Sequence, residues 1–394
     1  MSTLAGNGDS ASSNGIGVQA SINYPVGMAI SRSGTFAVVT EKNSHRVRII
    51  DILTSQVTTL AGSGNDTFTD GNGTQASLSA PEGVAISPDD SFVLVVEGFQ
   101  SISHRVRRIV IATGVVTTLA GNGAGYADGV GTMAKFNQPR GVAISPDGSY
   151  ALITDAVNLR VRRLDLNSSA VTTVAGSTQG FADGMGASVQ FNQFLLGVSI
   201  DPSGSYALIC DVSNHRIRRL DIASLQVTTL AGSSTVGFQD GTGTLAIFAR
   251  PRGVSIDATG SYALIADGDI HRIRRIVIAT AQVSTLAGTG SASAANGIGA
   301  LASFNQPFGI GISVDGTFAL VADGNSSRVR RISLTSSPCS AGYYCPSGSS
   351  SPTQVACPSG AFYCPAGSSA PASIACAAGY DSHRLSQPTR LSLY

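Results

Sequence analysis

Gly-Val-Ala-Ile-Ser-Pro-Asp-Gly-Ser-Tyr-Ala-Leu-Ile-Thr-Asp occupies residues 141–155, followed by Arg-Val-Arg-Arg-Leu-Asp at 160–165 and Ala-Val-Thr-Thr-Val-Ala-Gly at 170–176. This stretch decides the fold. Residues 141–144 are a short apolar run, and Ser145-Pro-Asp-Gly148 is a tight-turn signal. Residues 149–154 are a second β-rich run closed by Asp155; a third run starts at Arg160 and a fourth at Ala170. Hairpin connections and the absence of a helical period make this one unit of four antiparallel strands.

The unit recurs. Thr-Leu-Ala-Gly, once Thr-Val-Ala-Gly, ends at Gly6, Gly62, Gly121, Gly176, Gly232 and Gly288, at spacings of 56, 59, 55, 56 and 56 residues. A basic phrase keeps step, its leading arginine falling at Arg46, Arg105, Arg160, Arg216, Arg272 and Arg328. Six such units must bury one another's faces. Four-stranded repeats do so as the blades of a β-propeller. The sixth copy stops without its Thr-Leu-Ala-Gly, and the missing phrase stands at residues 3–6. The predicted fold is therefore an all-β, six-bladed propeller over residues 1–336, the N-terminal strand closing the last blade and removing the open edges. The innermost strands carry small residues (Gly27, Gly83, Gly141, Gly197, Gly253, Gly309), as crowding at an axis requires.

Composition narrows the function. With 42% hydrophobic and 12% charged residues, the 394-residue chain buries a large core. Acids nearly balance bases, and the arginines repeat evenly instead of forming one basic face, so nucleic acid is not an expected partner. No run of 18 apolar residues exists to form a membrane span, and the start lacks the basic and apolar regions of a signal peptide.

Asp211-Val-Ser-Asn-His-Arg-Ile217 and Asp267-Gly-Asp-Ile-His-Arg-Ile273, each following a Gly-Val and a turn, resemble NHL repeats, and the likeness extends over residues 1 to about 336. The resemblance implies a six-bladed propeller serving as a rigid platform for protein, sugar or nucleic-acid ligands. Two departures stand out: Glu41 and Glu97 replace Asp, and the second copy inserts three residues before His104.

An acid and the leading arginine are five residues apart in five copies, Glu41 with Arg46, Asp155 with Arg160, Asp211 with Arg216, Asp267 with Arg272 and Asp323 with Arg328. Across a hairpin this spacing suits a structural ion pair, repeated in each blade. His45, His104, His215 and His271 hold equivalent places on the ring, so symmetry keeps them apart and no metal site is expected. The residues just before the inner-strand glycines define the channel rim: Val26, Glu82, Arg140, Leu196, Arg252 and Phe308. Arg140 and Arg252 suit a carboxylate or sulfate, while Leu196 and Phe308 offer apolar contact. One carboxylate, Glu82, does not make the oxygen cage a calcium-dependent lactonase or esterase needs. In the loops between blades, Asp70, Asp128, Asp183 and Asp240 read as turn caps, with Phe136 and Phe191 pinned beneath.

Cys339, Cys345, Cys357, Cys364 and Cys376 follow the propeller in residues 337–380, with an irregular tail at 381–394. Gly-Tyr-Tyr-Cys-Pro-Ser-Gly and Ala-Phe-Tyr-Cys-Pro-Ala-Gly resemble ephrin-receptor-like cysteine-rich repeats, which implies a disulfide-stapled stalk in an oxidising compartment. The break after Cys376 reads as a fragment of a longer protein or an imperfect gene model. Cys210 reads as a small buried residue. Together these features predict a non-enzymatic, extracellular or cell-surface scaffold without cofactor, recognising a protein or carbohydrate ligand. The alternative is a calcium-dependent lactonase-like hydrolase.

Overall fold

A computed structural model describes residues 1–98 and 103–335, together with four two-residue strands in the tail. Two compact units result, Met1–Ile332 and Ser333–Tyr394. The first is a six-bladed β-propeller. In the third blade the strands Pro139–Ile144, Tyr150–Asp155, Arg160–Asp165 and Ala170–Ala175 run antiparallel from axis to rim. Each second strand is apolar almost throughout because it is buried on both faces. In the first blade Ala37 and Val39 pack toward the sixth blade, while Val38 packs toward the second. Fully burying one such aliphatic side chain stabilises the fold by about 1.5–3 kcal/mol.

Closure is visible at both ends of the radius. Ser2–Ala5 pairs antiparallel with the third strand of the last blade, Ser2 opposite Arg331 and Thr3 opposite Arg330. Leu4 and Ala5 then share a core with Met28 of the first blade and Val329 of the last. At the axis, a Cβ on Gly27, Gly83, Gly141, Gly197, Gly253 or Gly309 would overlap the carbonyl oxygen of Glu82, Arg140, Leu196, Arg252, Phe308 or Val26, in that order. Each glycine thus meets the rim residue of the next blade, and Gly309 meeting Val26 completes the ring.

Five blades hold more than the four strands expected. The segments between blades add a two-residue fifth strand at the outer edge: Gly15–Ile16, Gly71–Asn72, Gly129–Val130, Gly184–Met185 and Gly241–Thr242. These strands cover the edge that an outer strand would otherwise present to solvent. The long segments are ordered, and Phe136, Phe191, Phe248 and Phe304 are fully buried beneath them.

The ion pairs differ from those the spacing predicted. Each buried acid pairs with the arginine two positions beyond the leading one. Glu41 lies 2.7 Å from Arg48, Asp155 2.8 Å from Arg162 and Asp211 2.8 Å from Arg218. Asp267 lies 3.2 Å from Arg274 and Asp323 3.1 Å from Arg330. Glu97 and Arg107, hidden from spacing by the insertion, make the sixth pair at 3.0 Å. These arginines are fully buried and also serve the segment between blades. Arg162, for example, donates to the carbonyls of Ala127 and Lys135 and to Asp128. Asp128 in turn accepts from the Thr173 amide and hydroxyl. Asp70, Asp183 and Asp240 do the same with Thr118, Thr229 and Thr285, so these aspartates fasten blade edges and do not cap turns. Arg46, Arg160, Arg216, Arg272 and Arg328 are turned outward. Arg160 lies 4.1 Å from the centre of the Tyr126 ring, Arg216 3.9 Å from Phe181 and Arg272 4.0 Å from Phe238, while Arg46 and Arg328 donate to the carbonyls of Ser63 and Asn7. In three blades a loop aromatic from outside the hairpin takes the leading arginine, in the other two a loop carbonyl does, and the carboxylate is left to the neighbouring arginine. Burial pushes the Asp155 carboxyl up to about 6 and that of Asp267 to about 7, against the pull of the arginines.

The histidines join blades. His45, His104, His215 and His271 adopt left-handed backbone with φ of 53°, 45°, 54° and 55°. Their Nδ1 atoms accept from the amides of Ala80, Gln138, Arg250 and Gln306 in the following blade, at 3.0–3.2 Å. Accepting at Nδ1 requires neutral imidazole, and burial lowers all four pKa values accordingly. Cys210 is fully buried, and desolvation raises its thiol well above the ordinary value.

In the second unit Tyr343–Tyr344 pairs with Val355–Ala356 and Phe362–Tyr363 with Ile374–Ala375. Cys339, Cys345, Cys357, Cys364 and Cys376 lie outside the described residues, as does the disulfide framework predicted for them.

Candidate functional site: the mouth of the central channel

Each inner strand enters the ring the same way. A residue in left-handed backbone, Tyr24, Ala80, Gln138, Phe194, Arg250 or Gln306, precedes a proline, or Leu195 in the fourth blade. The rim residue follows, at a point where the pairing with the second strand slips, as between Pro25 and Met28. Such bulges re-aim side chains. Val26, Glu82, Arg140, Leu196, Arg252 and Phe308 all line one cavity of about 80 Å³ on the axis. The rim residues singled out from sequence therefore converge.

Their electrostatics are mostly internal. Glu82 is buried, with Lys42 at 3.3 Å and Arg140 at 3.4 Å from the same carboxylate oxygen. Arg252 lies 2.7 Å from Asp269, whose other oxygen is 3.6 Å from Arg250. The Arg252 guanidinium also sits 4.3 Å from the centre of the Phe308 ring, which tilts against Tyr24 at 5.6 Å. Lys42 lies over the Tyr24 ring, and Arg140 is 5.7 Å from the ring of Phe194, which is 40% exposed. Desolvation lowers the Lys42 pKa and raises that of Tyr24.

Sequence reasoning missed Lys42, Tyr24, Phe194 and Asp269. Lys42 follows the acid that each blade repeats, where the other blades have Gly98, Ala156, Val212, Gly268 and Gly324. A Cβ at Gly268 would strike the Arg252 side chain, and one at Gly324 the Phe308 ring. The small residues make room for the rim, and the lysine in their row was the available signal. Tyr24 and Phe194 stand at the two junctions where the histidine gives way to Ser327 and Leu159, on opposite sides of the ring. Among the described residues no group of three or more His, Cys, Asp or Glu side chains is placed to hold a metal ion. Nor is any helix among them long and apolar enough to cross a membrane.

A ring of six blades built on this repeat has similar proteins of known sequence, NHL repeat-containing proteins among them. The chain is 25% identical over 307 residues to human NHL repeat-containing protein 2, covering 69% of this chain and 41% of the relative. It is 29% identical over 287 residues to the chloroplastic Protein SUPPRESSOR OF QUENCHING 1 of Arabidopsis thaliana, covering 69% of this chain and 27% of that protein. The chain thus spans less than half the length of these curated relatives. No protein-family model matches it. Among solved structures, an auxiliary nutrient binding protein of Bacteroides thetaiotaomicron superposes with a TM-score of 0.63 at 18% identity, over 84% of this chain and 75% of that one. A gluconolactonase of Xanthomonas campestris superposes with a TM-score of 0.53 at 12% identity, over 80% and 87%. At such identities the likeness is one of fold.

Proposed function

We propose that this chain is a non-catalytic binding scaffold, the propeller portion of a larger extracellular or cell-surface protein, engaging a protein or carbohydrate ligand at the channel mouth. One observation carries the reading. Arginines and aromatic rings converge on a rigid ring, while the single rim carboxylate, Glu82, is committed to Lys42 and Arg140. Arginine and aromatic side chains in a preorganised setting are the usual energetic anchors of recognition. A carboxylate held between two cations is a poor ligand for calcium, which takes six to eight oxygens. The fold shared with a nutrient binding protein is compatible with this role. The cysteine spacing of the tail supports the extracellular setting.

The competing reading is a hydrolase of the kind the gluconolactonase neighbour represents. Peptide and glycan arrays, run beside a lactone and ester panel with added calcium, separate the two. Ligand retention that is lost in Arg252→Met, with no turnover above background, is the expected result. Calcium-dependent turnover lost in Glu82→Ala would replace the scaffold by an enzyme.

A further inference from the structure

Among the described residues, four cations crowd the mouth, Lys42, Arg140, Arg250 and Arg252, against two carboxylates, Glu82 and Asp269, each already set between two of those cations. The mouth therefore carries excess positive charge in a partly desolvated setting, where an added carboxylate is attracted more strongly than at an open surface. The aromatic neighbours are close by: Phe308 against Tyr24, and exposed Phe194 beside Arg140.

Resting on the scaffold reading, we propose that the mouth receives an acidic side chain from a partner protein, an Asp or Glu carried next to an apolar residue. Size favours a protruding side chain. The cavity of about 80 Å³ is well below the roughly 300 Å³ at which pockets for whole small molecules begin. The donor and acceptor balance disfavours a sugar. Hydroxyl groups need acceptors as well as donors, and both carboxylates at the mouth already face two cations each. The charge layout disfavours a nucleic-acid strand, which needs a basic groove along its backbone and not one spot on an axis. The acid enters between Arg140 and Arg252, and its apolar neighbour lies on Phe194 or on the Tyr24 and Phe308 pair.

The test uses the full chain and an array of capped octapeptides with a central Glu followed by each apolar residue in turn. A matched array carries Gln, and uronate oligosaccharides and single-stranded RNA are spotted alongside. Retention of Glu peptides, with affinity at least about tenfold weaker for Gln peptides and for Arg252→Met, and weakening with salt, is the expected outcome. Because Arg140 is buried, Phe194→Ser serves as the surface variant, and it should keep the melting temperature and lose the preference for the apolar neighbour. Equal retention of Glu and Gln peptides overturns the proposal. Retention of the uronate spots alone also overturns it, yet leaves the scaffold reading standing, whereas retention of the RNA spots alone overturns both. Retention of no spot of any class removes both.

Discussion

At the residue scale, the decisive choice is which arginine each buried acid takes. Asp211 stands directly opposite Arg216 in the ladder, yet its ion pair is with Arg218. Directly opposite residues are the natural guess from spacing inside one repeat. The Phe181 ring, 30 or more residues earlier in sequence, claims Arg216 from outside that repeat. Removing one member of a fully buried pair leaves an uncompensated charge, which costs about 3–5 kcal/mol. Arg218 keeps Asp183 at 2.8 Å, so Asp211→Ala should lower stability by an amount near the lower end of that range, about 3 kcal/mol, in denaturant titration. Arg216 is half-buried, and Arg216→Ala gives up its ring contact and one hydrogen bond to the Asn214 carbonyl, which should cost about 1–2 kcal/mol. Equal losses in the two variants would reinstate the pairing that spacing alone suggested. Gly253 offers a second residue-level check. Its Cβ would overlap the Phe308 carbonyl, so Gly253→Ala should cost about 1–3 kcal/mol by forcing inner strands apart. An unchanged midpoint would mean the inner strands are looser than described.

At the scale of elements, the joints between blades follow a rule with two exceptions. Four joints use a neutral histidine to accept an amide from the next inner strand, and Leu159 and Ser327 replace it at the other two. Burial holds the folded-state pKa of His104 below its unfolded value. The unfolded chain then binds the proton first as pH falls, so the histidine's contribution is full above the unfolded pKa and is lost as pH drops through the folded pKa. The stability difference between wild type and His104→Asn should shrink as pH falls from about 8 to about 5, the unfolded value being about 6.5. Asn tolerates the left-handed backbone and carries no titrating group. A difference that is flat or grows toward acid would contradict the neutral acceptor. These joints also mark the limit of what the sequence discloses. The strands and the closing phrase are legible because each copy repeats them. The bonds from histidine to the next blade, and from Arg162 to its preceding segment, cross copies and leave no trace in spacing within one.

For the whole molecule, the rim was legible because the glycine after it repeats in all six blades. Glu82, Arg140, Leu196, Arg252 and Phe308 differ among blades while their position does not. The groups completing the mouth were not legible, since Lys42, Tyr24 and Phe194 come from loops and appear in sequence only as departures from the repeat. Everything at the mouth depends on six inner strands held at fixed separation, which in turn requires a closed ring. Closure rests on Ser2–Ala5 joining the last blade, with Ser2 opposite Arg331. The most direct measurement is a cross-link: the double variant Ser2→Cys and Arg331→Cys, mildly oxidised and mapped by mass spectrometry. The ring predicts a disulfide joining the peptides that contain positions 2 and 331 within one molecule, formed without denaturant and accompanied by a higher melting temperature. A double variant in which those two thiols stay free, or join only between molecules, would contradict it.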